Sequence, residues 1–233
     1  MCWLDKVFTR NVLKLRDRFG IRHFVETGTA EGNGMIYFSR HFLSLDSCEV
    51  DPELARRASE RIRAGVRDSS RIWLQTTASP DFLKYFRAVY TSDRWSTPVL
   101  FFLDAHTPGN WPILEELEAL KGFHNCCIVI HDFKVPDLDL GYISYEGQAL
   151  DLEYVREALF GVNPEFHLYH NTREMAEVWT KEEVERGDAR MPWDEATKWQ
   201  LDYAWSAPLK TYRGILYAVP EEVQGLEVKP MKV

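Results

Sequence analysis

The chain has 233 residues, 45% hydrophobic and 27% charged, which suits one well-buried globular domain and leaves too little length for two of ordinary size. Its net charge of −8 and pI near 5.4 argue against a broad phosphate-tracking surface, so nucleic acid is not an expected partner. No apolar run approaches about 18 residues, and the opening Met-Cys-Trp-Leu-Asp-Lys has no apolar leader core, so neither a membrane span nor a signal peptide is expected.

Leu4, Val7, Phe8, Val12, Leu15 and Phe19 recur at roughly helical spacing and stop at Gly20, which predicts an N-terminal helix within residues 1–20. Strand and helix then alternate. A strand over 23–27 turns through Glu26-Thr27-Gly28-Thr29-Ala30-Glu31-Gly32-Asn33-Gly34 into a helix over 33–43. A strand over 44–50 is followed by a helix over 52–64, with Asp51 as its cap and Pro52 at its first position. Arg56, Arg57, Arg61, Arg63 and Arg67 along it read as a solvated face paired with acids. A third strand covers 72–77, and Ser79-Pro80 opens a further helix. Residues 99–104 form a continuous apolar run, as in a central parallel strand. Pro112 opens a helix that Gly122 ends, and a fifth strand covers 126–131.

Beyond it the pattern loosens. Residues 134–149 read as a long loop, 150–160 as a helix, and 166–170 and 214–219 as strands. Between the last two lies an aromatic-rich insertion, residues 172–213, with Trp179, Trp193, Trp199, Tyr203, Trp205 and Tyr212. Its rings are expected mainly to fill a local core or a subunit contact, with an acceptor pocket as the competing use. The charged tail after Pro220 is expected to fray. The four cysteines, Cys2, Cys48, Cys126 and Cys127, form no Cys-x-x-Cys pair and read as reduced thiols of a cytoplasmic protein.

Five strand–helix alternations predict a single α/β domain with a doubly wound, mostly parallel sheet, all of whose strand carboxyl ends share one edge. Glu26, Glu49, Ser79, Asp104 and Asp132 all fall at such ends. A strand that turns through glycines into a helix points N–H groups and a positive helix end at a ligand, and glycine permits close approach. An acid at the end of the next strand, Glu49, is placed to receive ribose hydroxyls. An adenosine-type cofactor follows.

Read as Thr27-Gly28-x-x-x-Gly32-x-Gly34, the loop has the letters of a short-chain dehydrogenase. Read as Glu26-x-Gly28-Thr29-x-x-Gly32, it resembles motif I of the class I S-adenosylmethionine-dependent methyltransferases. Glu26 favours the second, because a carboxylate attracts the ammonium of S-adenosylmethionine and repels a pyrophosphate. No lysine has a tyrosine four positions before it, so the dehydrogenase Tyr-x-x-x-Lys pair is missing. The resemblance covers residues 20–133 and the terminal strand pair. It implies a seven-stranded sheet whose last two strands form an antiparallel hairpin at the edge, with 172–213 as a cap or a homodimer contact. It also implies that Glu26, Thr27, Gly28, Thr29 and Gly32 hold the methionine half, that Glu49 binds ribose, that Ala78 and Ser79 border adenine, and that Asp104 lies beside the cofactor.

Leu103-Asp104-Ala105-His106 and Ile130-His131-Asp132-Phe133 end neighbouring strands, so Asp104 and Asp132 can share a space and offer oxygen ligands to a hard divalent ion such as magnesium. Catechol-type O-methyltransferases resemble the chain at these two aspartates, but Phe133 stands where they carry Asn; His106 could complete a site instead. The alternative makes His106 or His131 a general base for an acceptor hydroxyl, with Asp132 beside it. A looser resemblance, carried by Phe102-Leu-Asp-Ala-His106, Trp111-Pro112 and Glu115-Glu116-Leu117, is to methyltransferases of sugar and secondary-metabolite tailoring. The expected activity is O-methylation of a small hydroxylated metabolite or sugar. A short-chain-type NAD(P) oxidoreductase and a catalytically silent binding protein on the same fold remain the alternatives.

Overall fold

Every strand expected before residue 131 forms, and the sheet brings their carboxyl ends together. The computed structural model describes residues 2–90, 97–106, 109, 111–172, 177–206 and 212–231. In chain order its elements are α1 (Lys6–Phe19), β1 (His23–Thr27), α2 (Asn33–Phe38), β2 (Ser44–Glu49), α3 (Pro52–Gly65), β3 (Ile72–Thr76), α4 (Ser79–Tyr90), β4 (Val99–Leu103), α5 (Ile113–Ala119) and β5 (Cys126–Ile130). There follow β6 (Ser144–Tyr145), β7 (Gln148–Ala149), α6 (Leu152–Val162), β8 (His167–His170), α7 (Lys181–Glu185), α8 (Glu195–Ser206), β9 (Leu216–Val219) and β10 (Lys229–Pro230). The main sheet has eight strands in the order β3-β2-β1-β4-β5-β9-β8-β10. Strands β1 to β5 pair in parallel, whereas β9 runs antiparallel to both β5 and β8.

Alternation along the central strands divides the core. Phe24, Leu100, Phe102, Cys127 and Val129 face one layer with α1 and α2; Val25, Phe101, Leu103, Cys126, Ile128 and Ile130 face the other with α4, α5 and α6. The adjacent Cys126 and Cys127 therefore point to opposite faces, and both are free, buried thiols. Asp5 caps α1 by accepting from the Val7 and Phe8 N–H groups, and Gly20 ends it at φ 64°. Asp51 caps α3 in the same way.

Four expectations are corrected. Helix α2 ends at Phe38 rather than 43, because the Ser39 hydroxyl donates to the Ile36 carbonyl and the chain turns there. The expected terminal hairpin does not end the sheet: β10 adds an eighth strand outside β8, pairing Lys229 with His170 and Pro230 with Tyr169. The tail is correspondingly ordered, since Glu227 binds Arg10 and Lys14 and exchanges backbone bonds with the Asn11 amide. Within the loop 134–149, β6 and β7 make a short hairpin.

The insertion folds into α7 and α8 over its described part; residues 173–176 and 207–211 lie outside the described residues. Among its described rings, Trp199 (61% exposed) and Tyr203 (38%) stack on each other and Trp193 is also exposed, whereas Trp179 and Tyr212 pack against the two core layers. The Trp205 side chain lies outside the described residues. The arginines of α3 pair as expected: Arg56 with Glu53 and Glu60, Arg57 with Glu31, and Arg61 with Asp194. No helix among the described residues is long and apolar enough to cross a membrane.

Candidate active site at the carboxyl edge of the sheet

The glycine loop leaves β1 and crosses over the end of β4. Gly28 has φ 78°, and a Cβ there would lie 2.9 Å from both the Asp104 carbonyl oxygen and the Ala105 Cα, so only glycine allows this approach. Gly34, on the first turn of α2, leaves the room that the Glu26 carboxyl fills. Glu26 is buried, and burial, reinforced by the nearby Asp104 charge, pushes its carboxyl up to about 8. Ser47 Oγ donates to it at 3.4 Å.

Glu26, Gly28, Thr29, Ala30, Glu31, Asn33, Gly34, Phe38, Phe102 and Asp104 line one pocket, which Trp3 and Gln200 complete. None of these lining residues is cationic. A phosphate-bearing cofactor would meet three carboxylates there, whereas a ligand with an ammonium group and a sulfonium would supply the missing positive charge. S-adenosylmethionine fits the donor set; a dinucleotide pyrophosphate does not. Glu49, one strand over, is buried; its two oxygens accept from the Ala30 N–H at 2.8 Å and the Asp51 N–H at 3.0 Å, which fixes the carboxylate at the mouth of the loop.

Other expected cofactor residues hold the loop in shape. The Thr27 hydroxyl accepts from the Asp104 N–H, and the Thr29 hydroxyl bonds the Cys48 carbonyl and Ser47. Gly32 caps α2 at φ 76°. Ala78 is exposed at the β3 end of the same edge, and Ser79 beside it is buried at the start of α4. It lies by Glu116, an acid that burial pushes up to about 7, opposed by the Ser79 and Thr27 hydroxyls.

The ends of β4 and β5 bring the second cluster together as expected. His131 Nδ1 lies 2.8 Å from Asp104 Oδ1 and 3.0 Å from Asp132 Oδ1. His106, more exposed, places Nδ1 3.1 Å from the Asp104 carbonyl oxygen and Nε2 3.8 Å from Asp132 Oδ2. Asp132 adopts φ 59° and accepts from Arg213 Nε at 2.5 Å. Burial alone would raise the Asp132 carboxyl, but His131 and Arg213 hold it well below the carboxylate range. Phe133, one residue on, is fully buried in the core, so the expected gap in the ligand set is real at that position. His106 closes it: one atom each from Asp104, His106 and Asp132 lie within 4.8 Å of one another.

Sequence reasoning missed Arg213, Glu116, Trp3, Asn33 and Gln200. Arg213 was within reach, since it lies three residues before the strand that pairs with β5, and Gly141 leaves space for its guanidinium. Trp3 and Gln200 lie almost two hundred residues apart and carry no local signal.

No protein-family model matches the sequence, nor does any curated protein sequence. Solved structures do match the fold. An O-methyltransferase from Bacillus cereus in complex with SAH superposes with a TM-score of 0.53 at 15% identity, covering 91% of this chain and 81% of that one. TomG, an O-methyltransferase from Streptomyces achromogenes involved in tomaymycin synthesis and solved with SAM, gives 0.51 at 16% identity, covering 91% and 78%. The fold is a methyltransferase fold. The reversed strand β9 beside β5 also departs from the 3-2-1-4-5-6 parallel order of dinucleotide-binding sheets.

Proposed function

We propose that this protein is an S-adenosylmethionine-dependent methyltransferase that modifies a hydroxyl oxygen of a small molecule. The observation that carries the reading is the buried Glu26 carboxyl in a pocket with no cationic lining, one strand from Glu49. Glu26 would hold the ammonium of the methionine half, and Glu49 the ribose hydroxyls. When bound, the cofactor supplies an electrophilic methyl group.

The chain's own task is then to orient the acceptor and remove its proton. His106 stands at the rim of the cleft, and an Nδ1–H donated to the Asp104 carbonyl would leave Nε2 as the proton acceptor. Asp132 Oδ2, 3.8 Å from that nitrogen, stabilises the imidazolium once the proton has moved. His131, held by both aspartates, fixes the two carboxylates in place.

A divalent ion is the second reading, favoured by the convergence of Asp104, His106 and Asp132. Those three residues would hold it, and it would polarise an acceptor hydroxyl. The Arg213 guanidinium already engages the Asp132 carboxylate, which favours the base. Turnover lost to a chelator and restored by magnesium would reverse that preference.

Calorimetry with S-adenosylmethionine and S-adenosylhomocysteine tests the cofactor assignment. Binding of NAD(P) in their place would overturn it. A screen of hydroxyl, amine and thiol acceptors, read as S-adenosylhomocysteine release, tests the activity; silence across all three with the cofactor bound would leave a binding protein.

A further inference from the structure

We propose that the insertion completes the cofactor site, with the Gln200 amide N–H₂ receiving the carboxylate of the cofactor's amino-acid end and Arg61 pinning helix α8 in place. This rests on the function proposed above. Gln200 is 7% exposed and lines the same pocket as Glu26.

A chain of donor-only groups sets its orientation. Arg61 Nη2 can only donate, and it meets Asn33 Oδ1 at 2.7 Å, which leaves the Asn33 nitrogen facing Gln200. That nitrogen donates to Gln200 Oε1 at 2.5 Å. The Trp3 indole, also a pure donor, meets the same oxygen at 2.7 Å. The Gln200 oxygen is thereby committed twice, which leaves its amide N–H₂ group as the uncommitted part of a side chain that lines the pocket. In a pocket that holds Glu26, Glu31 and Asp104 and no cation, a zwitterionic ligand end finds acids for its ammonium but needs neutral donors for its carboxylate. Gln200 supplies them.

Arg61 links this wall to the glycine loop. It pairs through Nε with Asp194 Oδ2 at 2.9 Å and through Nη2 with Asp194 Oδ1 at 3.0 Å, and it donates through Nη1 to the Glu31 carbonyl. Asp194 in turn accepts from the Thr197 N–H at 2.9 Å, at the first turn of α8. One guanidinium therefore ties the loop, the start of α2 and the start of α8.

Two ligands that differ only at the amino-acid end provide the test. S-adenosylhomocysteine carries the carboxylate; 5′-methylthioadenosine lacks the whole amino-acid end. Gln200→Glu keeps an acceptor for Trp3 and Asn33 and replaces the N–H₂ group with a repelling oxygen. By calorimetry it is expected to weaken S-adenosylhomocysteine about tenfold or more while leaving 5′-methylthioadenosine unchanged. Gln200→Leu is expected to act in the same direction more weakly, and Asp194→Ala to weaken S-adenosylhomocysteine more than 5′-methylthioadenosine. Equal losses for both ligands, or none for either, would overturn the assignment. Failure of the unaltered protein to bind S-adenosylhomocysteine would overturn the function reading itself, and this inference with it.

Discussion

Two groups of carboxylates share one edge of the sheet, and their electrostatics are opposed. On the β1 side, Glu26 is pushed up to about 8 by burial, reinforced by the Asp104 charge, and no cationic side chain among the described residues lines its pocket. On the β5 side, Asp132 is equally enclosed yet held well below the usual range, because His131 and Arg213 surround it. The first region is built to take its positive charge from a ligand. The second carries its own. Binding and proton transfer are thus separated by where the chain places its cations, and not by which acids it uses.

The sharpest way to break this division is at the second region. His106→Ala is expected to lower kcat by about a hundredfold or more, with S-adenosylhomocysteine affinity unchanged. A loss in affinity instead of rate would merge the two regions into one. On the first side, Glu26→Gln keeps the shape of the neutral acid but cannot ionise. Cofactor affinity is expected to fall by about 1–3 kcal/mol while the melting temperature at pH 8 holds or rises. Glu49→Ala is expected to cost a similar 1–3 kcal/mol in affinity by calorimetry, and an unchanged value would misplace the ribose.

A smaller effect follows from the raised carboxyl of Glu26. Folded, the group keeps its proton up to about 8; unfolded, it loses it near 4.5, so its contribution to stability falls as pH rises through that window. A bound ammonium reverses the preference. Cofactor binding at pH 7 should therefore release up to about one proton, and affinity should rise from pH 6 towards 8. Calorimetry in buffers of different ionisation enthalpy measures both; proton uptake would contradict the placement of Glu26. Glu26→Gln should abolish the release.

The first region was legible because its signals are local. Gly28 and Gly32 are needed by the backbone itself, Gly34 makes room for the Glu26 carboxyl, and Glu26 and Glu49 end apolar strands whose pattern is plain. That Asp104 and Asp132 share a space followed from adjacent strand ends. What was not legible depends on contacts across the fold. Gln200 and Trp3 meet only because α8 and the N-terminal segment pack on one face of the sheet, and an exposed Trp199 next to a buried Gln200 inverts the usual polarity of a helix. Glu116 is buried beside the Ser79 and Thr27 hydroxyls, and no neighbour in sequence foretold that burial. Strand β10 is two residues long and ends in proline, too short for any periodicity.

That short strand has a consequence for how copies of the chain behave towards each other. An open sheet edge offers unpaired N–H and C=O groups to another molecule, and natural proteins blunt such edges with short strands and proline. Here Pro230 occupies the outermost strand and cannot donate, while the Glu227 contacts to Arg10 and Lys14 hold that strand down on α1. Deleting residues 221–233 would uncover β8 along its length. The shortened chain is expected to self-associate and aggregate on heating, seen by light scattering, so residues 221–233 act as a guard against sheet-to-sheet growth.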